Sequence, residues 1–226
     1  MNGEGGRARI AGVLALLLGS GAPREGVASP ETRPAQDFVD LQALEPTIRL
    51  DVRYATADNV LGRPLYTSAR VFLRKPVADA LIRVHRSLAA SGYGLVVFDA
   101  YRPWSVTKAL WDETPPAKRG FVANPARGSN HNRGCAVDLS LYALATGEPV
   151  QMPSGYDEMT PRSASDFAGG TAEARANRNR LRAAMEAEGF RVEHHEWWHF
   201  NHRGCPGYPV ENVPFDLLLS RGAAGP

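Results

Sequence analysis

Apolar residues recur along this chain with two periods. Val77, Leu81, Val84 and Leu88 form one stripe of an amphipathic helix over Pro76–Ala90, with Pro76 near its start and Gly92 beyond its end. Ala174–Glu188 repeats the pattern and is ended by Gly189. Ser105–Asp112 reads as a short helix capped by Ser105. The second period is the alternation of strands. It covers Arg49–Tyr54 and Val137–Leu141, while Leu95–Phe98 inside Tyr93–Ala100 is a short run typical of a buried strand. Phe190–Phe200 is rich in aromatic residues and reads as a final strand. His85 reads as a partly exposed helix residue. Helices at unequal spacing, with hairpin-like late strands, predict one α+β domain: an antiparallel sheet flanked by helices.

The first residues follow a different logic. Arg7 and Arg9 precede an apolar run, Ile10–Leu18, and small residues follow. That is the layout of a secretory signal, and the run is too short to span a bilayer. Gly26-Val27-Ala28 places small residues at the two positions a signal peptidase reads, with Ser20-Gly21-Ala22 as the alternative. No Cys follows Leu18-Gly19, so no lipid anchor is expected. The expected organisation is a signal peptide over 1–28, a flexible segment over 29–37 and one domain over 38–226, periplasmic or secreted.

Composition narrows the function classes. The 226 residues carry 26 Lys+Arg against 24 Asp+Glu, a formal net charge of +2 without blocks of like charge. Nucleic acid and a stable membrane anchor are therefore not expected. Two Cys exclude a disulfide-rich scaffold and a four-Cys zinc site. Oligomeric state is left open.

The candidate chemistry lies in two clusters. His194, His195, His199 and His202 crowd nine residues. His195-Glu196-x-x-His199 matches the H-E-x-x-H form, which needs a helix to bring both imidazoles to one zinc. Aromatic and β-branched residues over 191–201, with Gly189 before and Gly204 and Pro206 after, argue against that helix. The second cluster, Ser129–Asp138, has the form S-x-H-x-x-G-x-A-x-D. Ala136 and Asp138 share one face of a strand there, with Val137, Leu139 and Leu141 on the other. His131 and Asp138 need one more ligand to make an open three-ligand zinc site, and His199 can supply it. Glu196 can then take a proton from the attacking water, provided the strand is bulged or Glu196 sits at its end. The alternative is a hydrogen-bonded polar cluster without metal.

With these two signatures on one chain, Ser129–Asp138 and Glu196-Trp197-Trp198-His199, the sequence resembles the zinc D-alanyl-D-alanine dipeptidases. The likeness extends to Arg53–Asn59, to Asp99-Ala100-Tyr101-Arg102-Pro103 and to Gly155–Met159, and so covers about residues 38–205. It implies one zinc ion per chain held by His131, Asp138 and His199, with Glu196 as general base and Arg102 as the cation that stabilises the oxyanion. It implies that Asp157 and Ser129 hold the substrate's free amino terminus. The implied substrate is D-Ala-D-Ala, a small molecule, cleaved to two D-alanines in peptidoglycan turnover or D-Ala scavenging. Two alternatives share the zinc signature: a D,D- or L,D-carboxypeptidase or endopeptidase acting on longer peptides, and a non-enzymatic hedgehog-like zinc module. Glu196 and Arg102 separate the last, because a binding module has no use for both. Trp197 and Trp198 are expected in the core and pocket wall, and His194, His195 and His202 in a surrounding layer or at the surface. Cys135 and Cys205 are the two thiols of an exported chain and flank segments that must converge on one metal, so a disulfide is expected. The alternative is a buried thiol and a surface one.

Overall fold

The computed structural model describes Met1 and residues 37–222; the rest of the expected leader, residues 29–36 and residues 223–226 lie outside the described residues. In chain order the elements are β1 (Phe38–Asp40), α1 (Leu41–Leu44), β2 (Arg49–Leu50), β3 (Phe72–Arg74), α2 (Lys75–Ala89), β4 (Tyr93–Asp99), α3 (Trp104–Glu113), β5 (Ala136–Ala143), α4 (Ala172–Ala187), β6 (Phe190–Val192), β7 (His199–His202) and α5 (Phe215–Gly222). A five-stranded sheet runs in the order β2-β4-β5-β7-β6, and β1 pairs with β3 in a second, two-stranded sheet. The larger sheet is antiparallel except at one edge, where the two-residue β2 runs parallel to β4. No described helix is long and apolar enough to cross a membrane.

Helices α2 and α4 pack on each other and against β4 and β6. Val77, Leu81 and Val84 of α2 and Leu181 and Met185 of α4 are fully buried, as are Val137, Leu139 and Leu141 of β5. Each such aliphatic side chain contributes roughly 1.5–3 kcal/mol. Because side chains alternate along a strand, the other face of β5 is left to Ala136 and Asp138.

Four expectations change. Phe190–Phe200 is two strands separated by a loop. The backbone between them bonds to 163–165, through Ser165 N to His194 O (2.9 Å) and Trp197 N to Ser163 O (2.8 Å), and joins the sheet at its two ends, where Glu193 N donates to His199 O (2.8 Å) and Leu139 N to Trp198 O (3.1 Å). The strand expected over Arg49–Tyr54 stops at Leu50, and Arg53–Ala55 coils into a 3-10 turn. Ser105 is not the cap of α3. The helix starts at Trp104, and its first N–H groups bond to Glu211 O (3.0 Å) and Asn212 Oδ1 (2.9 Å). His85 is buried, accepting from Leu95 N at 3.2 Å and pairing with Thr47 Oγ1 at 3.0 Å, which fixes α2 to β4.

Cys135 and Cys205 form a disulfide. It closes a loop spanning 70 residues of sequence and ties the start of β5 to the turn after β7. A cross-link over such a loop restricts the unfolded chain by about 4 kcal/mol. The Cys135→Ser/Cys205→Ser double variant is therefore expected to lose about 2–4 kcal/mol of unfolding free energy in urea. An unchanged midpoint would assign the bridge no stabilising role.

Candidate active site

Sheet register assembles the site. Asp138 of β5 is paired across the sheet with Asp99 of β4 on one side and with His199 of β7 on the other. Directly paired residues present side chains to the same face, so three chemical groups from distant parts of the sequence stand in one row. A register shift between Val97 and Asp99 turns the end of β4 into this row. His131 arrives from a 3-10 turn just before β5. Gly134 ends that turn at φ 71°, where a Cβ would sit 2.2 Å from the Phe38 ring, so only glycine fits.

Three atoms converge there. His131 Nε2 lies 3.0 Å from His199 Nδ1 and 3.3 Å from Asp138 Oδ1, and His199 Nδ1 lies 3.0 Å from the same oxygen. Their surroundings fix which atoms are free to coordinate. His131 Nδ1 is 2.6 Å from Ala100 O, which can only accept, so this nitrogen carries the proton and Nε2 presents its lone pair. His199 Nε2 faces Asn201 Oδ1 at 3.0 Å, which leaves Nδ1 as its lone-pair nitrogen. Asn130 Nδ2 donates to the same Asn201 oxygen at 2.8 Å and holds it in place. Tyr156 OH donates to Asp138 Oδ2 at 3.1 Å, leaving Oδ1 for the triangle. Three lone pairs facing one point need protons or a cation between them. Tetrahedral zinc with bonds of about 2.0–2.1 Å separates its ligand atoms by about 3.3 Å, so the triangle fits such an ion. Among the described residues this is the one group of three His, Cys, Asp or Glu side chains close enough to hold a metal.

Charge couples the same three groups. Burial pushes the Asp138 carboxyl up, but the His131 and His199 rings hold it well below the usual carboxylate range. Burial lowers His199, and its bond to Asp138 outweighs this, so His199 rises. Glu196 lies in the turn just before β7, whose closing bond runs from His199 N to Glu196 O at 3.2 Å. Glu196 therefore reaches the site from the strand's end, with Oε2 3.9 Å from His199 Nδ1. The segment His195–His199 is not helical, which removes the H-E-x-x-H reading, and His195 is exposed. Burial, reinforced by the Asp138 and Asp157 charges, pushes Glu196 up to about 8.

Arg102 is buried, with Nε and Nη2 both on Asp99 Oδ2 at 2.9 and 2.7 Å and Nη2 3.9 Å from Asp138 Oδ2. Asp157 sits in a left-handed turn conformation, φ 55°, and accepts from Tyr54 OH at 3.1 Å. Burial first, then the Asp138 charge, raises Asp157 to about 7. Ser129 Oγ accepts from His131 N at 3.2 Å. Ser129, Arg102, Asp157, Glu196 and the three convergent ligands all line one cavity of about 290 Å³, at the small end of ligand sites. Trp197 and Trp198 are core residues and do not border it.

Sequence reasoning assigned no role to Asp99, Tyr66, Tyr54, Tyr156 or Asn201. Asp99 is 1% exposed, accepts from Tyr66 OH at 2.6 Å and lies 3.5 Å from His131 Nδ1, so it braces Arg102 and borders a ligand at once. Its place in the Asp99–Pro103 segment, three residues before Arg102, is the sign that the sequence offers.

A His-Asp-His triangle with a buried carboxylate and a buried guanidinium on one small cavity is the donor set of a single-metal hydrolase. The family model described as D-Ala-D-Ala dipeptidase matches residues 34–216, and the chain belongs to that family; it is a metallopeptidase. It is 36% identical to a D-alanyl-D-alanine dipeptidase of Escherichia coli (strain K12), covering 82% of this chain and 95% of that one. An Enterococcus faecium protein of the same name is 36% identical over 80% of this chain and 96% of its own. A solved vancomycin-resistance D,D-dipeptidase in complex with a D-Ala-D-Ala phosphinate analogue aligns at 20% identity and TM-score 0.40, over 74% of this chain and 59% of that one.

Proposed function

We propose that this protein hydrolyses D-Ala-D-Ala, with one zinc ion held by His131 Nε2, Asp138 Oδ1 and His199 Nδ1. The convergence of these three atoms on one small cavity carries the reading. When bound, zinc supplies Lewis-acid polarisation of the scissile carbonyl and of the attacking water. Glu196 accepts the water's proton and delivers it to the departing amine, a task for which its raised basicity suits it near neutral pH. Arg102, held rigid by Asp99, faces the negative charge that develops on the carbonyl oxygen. Asp157 and Ser129, both on the cavity wall, take the substrate's ammonium, which favours the ionised Asp157 carboxylate.

Purified protein given D-Ala-D-Ala and, separately, a stem pentapeptide ending in D-Ala-D-Ala is expected to release D-alanine from the dipeptide alone. Comparable release from the pentapeptide would make it a carboxypeptidase. We also propose that the chain is exported through residues 1–28 and acts on dipeptide outside the cytoplasm, in wall turnover or scavenging. An intact Met1 start in the cytosolic fraction of cells carrying the native gene would overturn the export.

Asp99 is a positioning residue in this scheme. Asp99→Asn keeps the shape but removes the charge from two guanidinium hydrogen bonds, each worth about 1.5–3 kcal/mol. Turnover is expected to fall about 10- to 100-fold with KM and zinc content near wild type. A change confined to thermal stability would make Asp99 merely structural.

A further inference from the structure

A second groove, of about 790 Å³, lies along β6, β7 and the turn that follows. Its charged lining is all basic: Arg133, Arg191, Arg203 and the imidazole of His202, with no carboxylate among them. None of the three arginines forms an ion pair among the described residues, whereas Arg83, whose charge also reaches His202, is paired with Glu188. The walls are fixed. The disulfide joins Cys135, two residues after Arg133, to Cys205, two residues after Arg203. Arg133 Nη1 donates to Tyr208 O, and Arg203 N donates to Gly189 O at 3.0 Å. Gly189, at φ 86°, makes room for the Arg203 guanidinium, because a Cβ there would lie 2.8 Å from Nε. His202 is lowered by burial and then by the Arg203 and Arg83 charges, which registers the positive field along this wall.

Unneutralised guanidiniums on a concave wall recognise carboxylate and phosphate oxygens through their planar forks. We propose that this groove binds a small multivalent anion bearing carboxylate or phosphate groups, at a site separate from the catalytic cavity. The two spaces meet at Asn130 and Asn201, which line both. Asn201 also holds His199, so an anion in the groove sits one hydrogen-bonded layer from the metal ligands.

The test is calorimetric titration of the zinc-loaded protein with inorganic phosphate and, separately, with tricarballylate, at constant ionic strength. Saturable binding is expected, weakened about tenfold or more in Arg191→Gln/Arg203→Gln. Turnover of D-Ala-D-Ala by that variant is expected to be unchanged, which shows that it is folded and that its loss is local. Exposed Arg191→Glu alone should weaken binding in the same direction, and whichever anion binds more tightly identifies the source chemistry. Equal affinity in wild type and variants would place the anion elsewhere, at the metal or Arg102, and overturn the proposal. So would the absence of saturation by either anion. Neither result depends on which peptide the enzyme cleaves.

Discussion

His131→Ala, Asp138→Ala and His199→Ala are each expected to leave the protein without stoichiometric zinc and without measurable dipeptide hydrolysis. The triangle offers three protein atoms, each supplied by one side chain, and no other described residues form a group close enough to hold a metal. Two remaining ligands hold the ion far less tightly, because a catalytic zinc already keeps one position for water or substrate. Removing a group also disturbs the others. Without Asp138, His131 and His199 face each other at 3.0 Å with lone pairs converging and no carboxylate completing the triangle. Without His199, Asn201 loses the imidazole that it orients. Alterations in such outer layers by themselves cost about 10- to 100-fold in metal affinity, so loss of a ligand must cost more. Metal content by mass spectrometry after dialysis, beside turnover, reads both effects. Full occupancy in any of the three variants would remove that residue from the ligand set.

The parts of this architecture that are legible in the chain are those whose determinants are local. The stripes of α2 and α4 need only a 3.6-residue repeat, and β5 needs only alternation, so each element lies within two or three residues of its expected bounds. The elements that differ from expectation answer to distant partners. Trp197 and Trp198 resemble strand residues because they are apolar and bulky, yet Trp197 is buried by bonding Ser154 Oγ through Nε1 at 2.9 Å. Helix α3 starts where Glu211 and Asn212 satisfy its N–H groups, more than a hundred residues away. The same division holds in the site. Two signatures point to the convergent ligands because both spacings are compact, His131 to Asp138 and Glu196 to His199. Asp99, Tyr156 and Asn201 stay hidden, since an aspartate, a tyrosine and an asparagine gain their roles only from the folded contacts that aim them at Arg102, Asp138 and His199.

Glu196→Gln separates chemistry from metal binding. Glutamine keeps the shape of the side chain but cannot accept the water's proton, and Glu196 is not one of the three convergent atoms. Zinc content is therefore expected to stay at wild-type level while kcat falls by about 100- to 10,000-fold, the range a general base supplies. KM should change little, since the carboxylate acts on water and not on the bound dipeptide. Arg102→Ala is the companion case. It removes a charge that matters most when the oxyanion forms, and loss of one such donor lowers kcat by about 100- to 1,000-fold. It also leaves Asp99 buried with Tyr66 OH as its remaining close donor, so part of the effect will register as lost stability, which Glu196→Gln should not show. Steady-state kinetics with metal analysis and a thermal midpoint on each variant distinguish these outcomes. A Glu196→Gln enzyme that turns over within a few-fold of wild type would give the proton transfer to another group on the cavity wall. Asp157, the other lining carboxylate lifted towards neutrality, would be the next residue to replace.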